Sequence, residues 1–214
     1  MPDPNTALMQ RIRDAWGLKI AQACAGSSVP PAFVAALIAN ESGGNVNAKR
    51  YEPLVCGHLA AVISGKAAAY DPPGARRALG AQDLQQYLSD SAESAGPGST
   101  PIHRLADLAT SYGLTQIMGF HVLMWGLDLS VLRSGADSQL KFTLQMLAFA
   151  AQNNALDLAM PDQQTVGEFF DWWNTGRPHG STFDPNYVPN GIERMRIYTQ
   201  LSAAAVAPNP GVVQ

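Results

Sequence analysis

Residues 28–44 read Ser28-Val-Pro30-Pro31-Ala-Phe33-Val-Ala-Ala-Leu37-Ile-Ala-Asn-Glu41-Ser42-Gly43-Gly44. Phe33, Leu37 and Glu41 recur at four-residue spacing, with Val34 and Ile38 beside them, so all five share one helix face. Ser28 stands where a capping side chain is wanted, and prolines are tolerated in a first helical turn. Gly43-Gly44 is a strong stop signal. The stretch therefore predicts an apolar helix that ends on a carboxylate. A carboxyl on an apolar stripe is partly desolvated, and desolvation raises its pKa. A raised pKa keeps the proton on near neutral pH, as a general acid requires. The bland alternative is a helix-end glutamate that reaches into solvent.

Helical spacing continues on both sides. Leu8, Ile12, Ala15 and Trp16 predict an amphipathic helix over residues 5–25, broken by Gly26, Ser27 and Ser28. Residues 45–57 read as a loop. Helices are expected over 58–69, 82–92, 102–110, 114–125, 140–158, 165–173 and 190–204. The one over 140–158 is apolar nearly all round, with Phe142, Met146 and Phe149 beside Leu144 and Leu147, and is expected to be central. Asp71-Pro-Pro-Gly74 and the run Ser94–Pro101 are turn-rich. No run alternates apolar and polar residues. The expected fold is mainly α, a single domain over 1–206 with a flexible tail at 207–214.

Bulk properties narrow the function. The 214 residues carry a net charge of -3, with 46% apolar and 14% charged side chains. That is a globular composition with no electrostatic footprint for nucleic acid. The longest apolar stretch falls far short of the roughly 20 residues of a membrane span. Met1–Gln10 shows no basic region followed by an apolar run, so no signal peptide is visible. Cys24 and Cys56 read either as a pair in an exported protein or as two free thiols. His58, His103, His121 and His179 are scattered without metal-ligand spacing. No metal, cofactor or nucleic-acid partner is expected, and a monomer is.

Three further segments bear on chemistry. Ser111-Tyr-Gly113-Leu-Thr-Gln116-Ile-Met-Gly119 sets a polar Gln116 in an apolar run, where it needs partners or faces a ligand. The plain reading is an ordinary polar position near a helix start. Phe169-Phe-Asp-Trp172-Trp173-Asn174-Thr-Gly176 puts paired tryptophans beside an amide. Such rings stack on sugar faces while the amide reads hydroxyl or acetamido groups. An aromatic core with a turn asparagine is the competing view. The last segment is Asn186-Tyr187-Val188, followed by Ile192, Met195 and Tyr198 on a terminal helix.

Taken in order, Glu41-Ser42, Gly113-Leu-Thr-Gln116-Ile117, Trp172-Trp173-Asn174-Thr-Gly176 and Tyr187-Val188 with Tyr198 resemble a known pattern. It is that of the soluble-type lytic transglycosylases and their goose-type lysozyme relatives: Glu-Ser, Gly-Leu-Met-Gln-Ile, Ala-Tyr-Asn-x-Gly, then a late tyrosine. The resemblance implies a lysozyme-like fold and cleavage of the β-1,4 linkage between N-acetylmuramic acid and N-acetylglucosamine in peptidoglycan. Glu41 would protonate the glycosidic oxygen and then accept the proton of the muramyl 6-hydroxyl. Gln116, Trp173 and Asn174 would hold the sugar. Tyr198 would orient Glu41 or the acetamido group, with Tyr187 the competing candidate. Ser42 would touch substrate or merely end the helix. The site of action would be the periplasm or cell wall.

The departures are Thr115 for Met, Trp172-Trp173 for Ala-Tyr, and above all the long stretch between Glu41 and the Gln116 segment. Residues 45–110 are expected to form an inserted helical cap over one end of the cleft. Within it Lys49-Arg50-Tyr51-Glu52-Pro53, together with the later Gln116-Ile-Met-Gly-Phe120, resembles phage-lysin muramidases. Glu52 is then either a second carboxylate or a loop ion pair with Lys49 or Arg50. A hydrolytic muramidase would need a water base, for which Glu52, Asp71, Glu168 and Asp171 are candidates. A non-catalytic peptidoglycan-binding module is the reading from outside the enzyme class.

Overall fold

The computed structural model of the chain describes residues 3–94, 100–159 and 161–206. The expected tail at 207–214, and residues 95–99 of the turn-rich run, lie outside them. The fold is mainly α. The helices, in chain order, are α1 (Pro4–Cys24), α2 (Pro31–Glu41), α3 (Pro53–Ile63), α4 (Ala81–Ser94), α5 (Pro101–Leu108), α6 (Gly119–Met124), α7 (Ser130–Arg133), α8 (Ala136–Asn154), α9 (Gln163–Thr175) and α10 (Tyr187–Val206). The strands are β1 (Lys49–Tyr51), β2 (Ala69–Tyr70), β3 (Leu79–Gly80), β4 (Thr110–Tyr112) and β5 (Ile117–Met118).

Helix α2 is the centre. Every side chain from Ala32 to Ala39 is buried, so the helix has no face to offer water and must be surrounded. Helices α1 and α10 pack along it, and α9 brings Phe169 and Phe170 to within 6.0 and 4.7 Å of the Phe33 ring. Ser28 does not cap α2. Pro30 holds the N-cap position without a side-chain hydrogen bond, while Ser27 Oγ accepts from Val29 N and closes the preceding turn. In contrast, Asp3 caps α1, accepting from the amides of Asn5 and Thr6.

Two small antiparallel sheets were not foreseen. One has the order β1-β4-β5, with Arg50 opposite Ser111 and Ser111 opposite Met118; the other pairs β2 with β3. At two or three residues each, the strands are too short to display an alternating pattern. The helix expected over 114–125 is interrupted for a local reason. Gly113 and Gln116 both sit at positive φ, 76° and 52°, and an α-helix accepts neither. The chain turns, lays down β5, and begins α6 only at Gly119.

The buried apolar residues form two clusters. The larger surrounds α2. The smaller is built from residues 56–109, including Cys56, Leu59, Leu79, Leu84 and Leu105, and is completed by Phe120 and Met124 of α6. The long inserted stretch thus packs on the helix that directly follows the Gln116 turn.

One buried amide ties the turn to the body of the fold. Gln139 on α8 accepts from Leu114 N at 3.0 Å and donates to Leu132 O and Val46 O at 2.8 and 3.1 Å. The turn comes so close that a Cβ on Gly113 would lie 2.2 Å from the Gln139 side-chain oxygen. Gln139→Leu keeps the approximate shape but strands one amide and two carbonyls. The expected loss is about 2–4 kcal/mol of unfolding free energy, read by urea denaturation.

Candidate active site

Glu41 is the last residue of α2, at the point where the buried helix reaches the surface. Burial pushes its carboxyl up from an ordinary 4.5 to about 7, opposed by the Tyr187 hydroxyl and by the positive charge of Arg50. Tyr187, first residue of α10, donates its hydroxyl to Glu41 Oε1. Its phenol is in turn held protonated by burial and by the Glu41 charge. The ring packs edge-on to Phe170, 6.2 Å between centroids.

Of the two candidate tyrosines, then, Tyr187 bonds Glu41. Tyr198 lies further along α10, buried against α1, with its hydroxyl 3.3 Å from where a Cβ on Gly17 would sit. Neighbouring groups fix the start of α10. Asn40 Nδ2 donates to Tyr187 O at 2.9 Å, and Arg194 Nη1 donates to Asn40 Oδ1 at 2.7 Å. Neither Asn40 nor Arg194 stands out in the sequence, since each acts on the backbone or on a neutral partner.

Ser42 ends α2 and spends its hydroxyl on the fold. It donates to Leu114 O at 2.7 Å and accepts from Gly44 N at 3.2 Å. That bond brings the Gln116 turn up against the end of α2. Gln116 is half-buried. Its Oε1 accepts from Ser111 Oγ at 2.8 Å and its Nε2 donates to Gly113 O at 3.0 Å. A non-glycine residue at positive φ costs on the order of 1–3 kcal/mol and persists only where its surroundings impose it; here its own amide supplies both restraints.

Glu52 is partly exposed and forms an ion pair with Arg50, Nε to Oε1 at 2.6 Å. Arg50 thus serves two carboxylates, pairing with Glu52 and lowering the pKa of Glu41. Asp71 is an exposed residue in the loop after β2. Asp171 on α9 is the other acid in the neighbourhood. Desolvation raises its pKa, and its charge is felt by Tyr187. Glu168, one turn earlier, stands 3.9 Å from His179.

Trp173 donates its indole N–H to Thr115 O at 3.0 Å, joining α9 to the residue just before Gln116. Asn174 is exposed. With Trp173, Met118 and His121 it lines a cavity of about 200 Å³, to which Pro72–Gly74 also contribute. Met118, two residues after Gln116, is half-exposed, whereas Ile117 turns into the core. Glu41, Ser42, Gln116, Trp173 and Tyr187 are therefore linked by hydrogen bonds across α2, the 113–117 turn, α9 and α10, with Asn174 at the margin. Chemically, the cluster offers one protonated carboxylic acid, a hydroxyl donor to it, amides and an indole face. Among the described residues, no group of three or more His, Cys, Asp or Glu side chains is arranged to hold a metal ion, and no helix is long and apolar enough to cross a membrane.

No protein-family model, curated protein or solved structure matches the chain.

The raised pKa of Glu41 makes stability depend on pH. Because the folded-state value lies above the ordinary one, Glu41 favours the fold in its protonated form. That contribution is complete below about 4.5 and lost as pH rises through about 7. Glu41→Gln, a neutral replacement, is expected to gain stability on wild type across this window, by up to about 3 kcal/mol on the alkaline side. Urea unfolding of both proteins at several pH values measures the difference; a gap that does not widen with pH contradicts a buried, proton-holding Glu41.

Proposed function

We propose that this chain cleaves the β-1,4 linkage between N-acetylmuramic acid and N-acetylglucosamine in peptidoglycan, by a lytic transglycosylase mechanism with Glu41 as its single acid/base. The observation that carries the reading is Glu41 itself: a carboxylic acid at the end of a helix buried from Ala32 to Ala39, with its pKa raised by burial to about 7 and bonded by the Tyr187 hydroxyl. The resemblance of its four sequence motifs supplies the substrate, and with it a site of action at the cell wall.

In this mechanism Glu41 gives its proton to the glycosidic oxygen as the bond to C1 of the muramyl residue breaks. The departing N-acetylglucosamine leaves with a free 4-hydroxyl. The carboxylate so formed then takes the proton of the muramyl 6-hydroxyl as that oxygen bonds to C1. The product is a 1,6-anhydro sugar, no water is consumed, and Glu41 ends protonated. Tyr187 orients the acid and steadies the transient carboxylate. Because the nucleophile belongs to the sugar itself, no water base is required. The Gln116 amide and the Trp173 ring, bound to the same turn, would hold the sugar ring beside Glu41, with Asn174 further out.

Hydrolysis by a muramidase is the second reading. It needs a second carboxylate free to activate water, at roughly 6.5–9.5 Å from the acid in an inverting enzyme. Glu52 is engaged by Arg50 at 2.6 Å, which argues against it in that role. Asp171, with a raised pKa and a charge felt at Tyr187, is the acid that keeps this reading open.

Digestion of purified sacculi followed by mass spectrometry of the products is the direct test. Anhydro ends are expected; reducing ends would favour the hydrolase, and no soluble product would leave a binding module. Glu41→Gln should fold normally and lose about 10²–10⁴-fold in cleavage rate. Clearance of the suspension by this variant at near wild-type rate would remove Glu41 from the chemistry. Glu52→Gln separates the two carboxylates. If Glu52 serves only to pair with Arg50, turnover survives within about tenfold, the scale of a modest surface perturbation. Loss of turnover in a folded Glu52→Gln variant, together with reducing-end products from wild type, would reverse the preference.

A further inference from the structure

Strand β1 sets a guanidinium beside the Gln116 turn. Residues directly opposite one another in an antiparallel pair project to the same face. Arg50 is opposite Ser111, and Ser111 is opposite Met118, so the three share one face of the small sheet. Ser111 is buried there, and its hydroxyl donates to Gln116 Oε1 at 2.8 Å, so the Gln116 side chain lies over it. The neighbours of Arg50 in β1 project to the other face. Lys49 Nζ, for example, stands 5.6 Å from the centre of the Tyr112 ring. Arg50 is therefore the β1 residue that shares a face with the Gln116 amide.

Most of that guanidinium is uncommitted. Its Nε donates to Glu52 Oε1 at 2.6 Å, and among the described residues its two terminal nitrogens meet no acceptor. The Arg50 side chain is 70% exposed, against 34% for Glu52. Glu52 thus steadies one edge of the group and leaves the terminal N–H pair open to solvent. That pair is a planar fork whose spacing matches the two oxygens of a carboxylate. The Arg50 charge also reaches Glu41. The Arg50–Glu52 pair carries no net charge, so what it offers an anion is directed hydrogen bonding at short range and not a long-range field.

The two sugars of a peptidoglycan strand differ at one place. N-acetylmuramic acid carries a lactyl ether on O3 that ends in a carboxyl, and N-acetylglucosamine carries a hydroxyl there. In a bare strand the lactyl carboxyl is a free carboxylate. In an intact strand it is bound to a peptide that brings carboxylates of its own. An amide or an indole ring serves both sugars alike, whereas an unpaired guanidinium fork discriminates between a substituent with a carboxylate and one without.

We propose that Arg50 is a specificity residue of the site, its terminal N–H pair binding a carboxylate carried on the muramyl O3 substituent and so setting the muramyl ring, not its neighbour, at Glu41. The inference rests on the peptidoglycan reading above, and adds to it the group on the substrate that is recognised. Glu52 is then the residue that holds Arg50 in place, and takes no part in the proton transfers.

The test compares kcat/KM of wild type and Arg50→Gln on four forms of one glycan strand: with peptides or stripped of them, each with its carboxylates free or converted to neutral methylamides. Wild type is expected to cleave a free-carboxylate form about five- to tenfold faster than its neutralised counterpart, and Arg50→Gln to bring that ratio close to one. A ratio seen on stripped strands assigns the lactyl carboxylate; one seen only on peptide-bearing strands assigns the peptide. Because Arg50 also acts on Glu41, the variant's rate on neutralised strands is expected to change as well, and only the ratio between forms reports recognition. A wild type without the preference, or an Arg50→Gln variant that keeps it, overturns the proposal and leaves the cleavage chemistry intact. Failure of wild type to cleave any form overturns the functional reading, and this inference with it. Should Arg50→Gln fail to fold, wild type alone decides. Its preference should shrink as ionic strength rises from about 0.05 to about 0.5 M, and a preference indifferent to salt overturns the proposal.

Discussion

A helix with no polar face organises this protein. From Ala32 to Ala39, α2 buries every side chain, and each large residue there contributes on the order of 1.5–3 kcal/mol relative to exposure. Such a helix cannot lie on a surface, so α1, α9 and α10 are drawn around it. At its far end the chain comes back toward water, and Glu41 stands there. The depth that keeps its carboxyl protonated is therefore a by-product of the same burial that stabilises the fold. Opposing that depth are the Tyr187 hydroxyl and the charge of Arg50.

Helix α10 performs two tasks at once. Its length covers α2, with Tyr198 buried against Gly17 of α1, while its first residue delivers a hydroxyl to the acid. The chain Arg194–Asn40–Tyr187 runs from one helix to the next and back, so the position of the hydroxyl is fixed by backbone as much as by side chain. The Gln116 turn is secured the same way, by Gln139 from beneath and by Ser42 from the side. Polar groups inside a low-dielectric interior bind strongly when all are satisfied and cost heavily when one is left out. That is why so small a turn holds an unfavourable backbone conformation.

Long-period features were legible in the sequence, and short-range ones were not. The four-residue spacing in Phe33, Leu37 and Glu41 placed α2 and its carboxylate, because apolar periodicity survives over three turns. The same signal gave α1, α8 and α9 to within a few residues. It failed between Leu114 and Met118, where the apolar run looks helical and the deciding fact is the backbone angle at Gly113 and Gln116. It failed again for β1, a three-residue strand with no room for a pattern. At the candidate site, Glu41 was singled out by its helix spacing, and Gln116 and Trp173 by the motif order that carries the resemblance. The choice of Tyr187 over Tyr198 was not legible, since it depends on which turn of α10 faces α2. The roles of Asn40 and Arg194 were equally hidden, because a bond to a carbonyl leaves no trace in residue spacing; the pairing of Arg50 with Glu52 was among the expectations, its effect on Glu41 was not.

The two cysteines remain apart, both free and both buried. Cys24 belongs to the cluster around α2, and Cys56 to the smaller one under the inserted stretch. Burial pushes the Cys24 thiol up to about 11, which leaves almost no thiolate for an oxidant or alkylating reagent to attack while the fold is closed. The Cys24 sulfur becomes reactive when the cluster around α2 opens, so its rate of modification is an intrinsic clock for the breathing of that core.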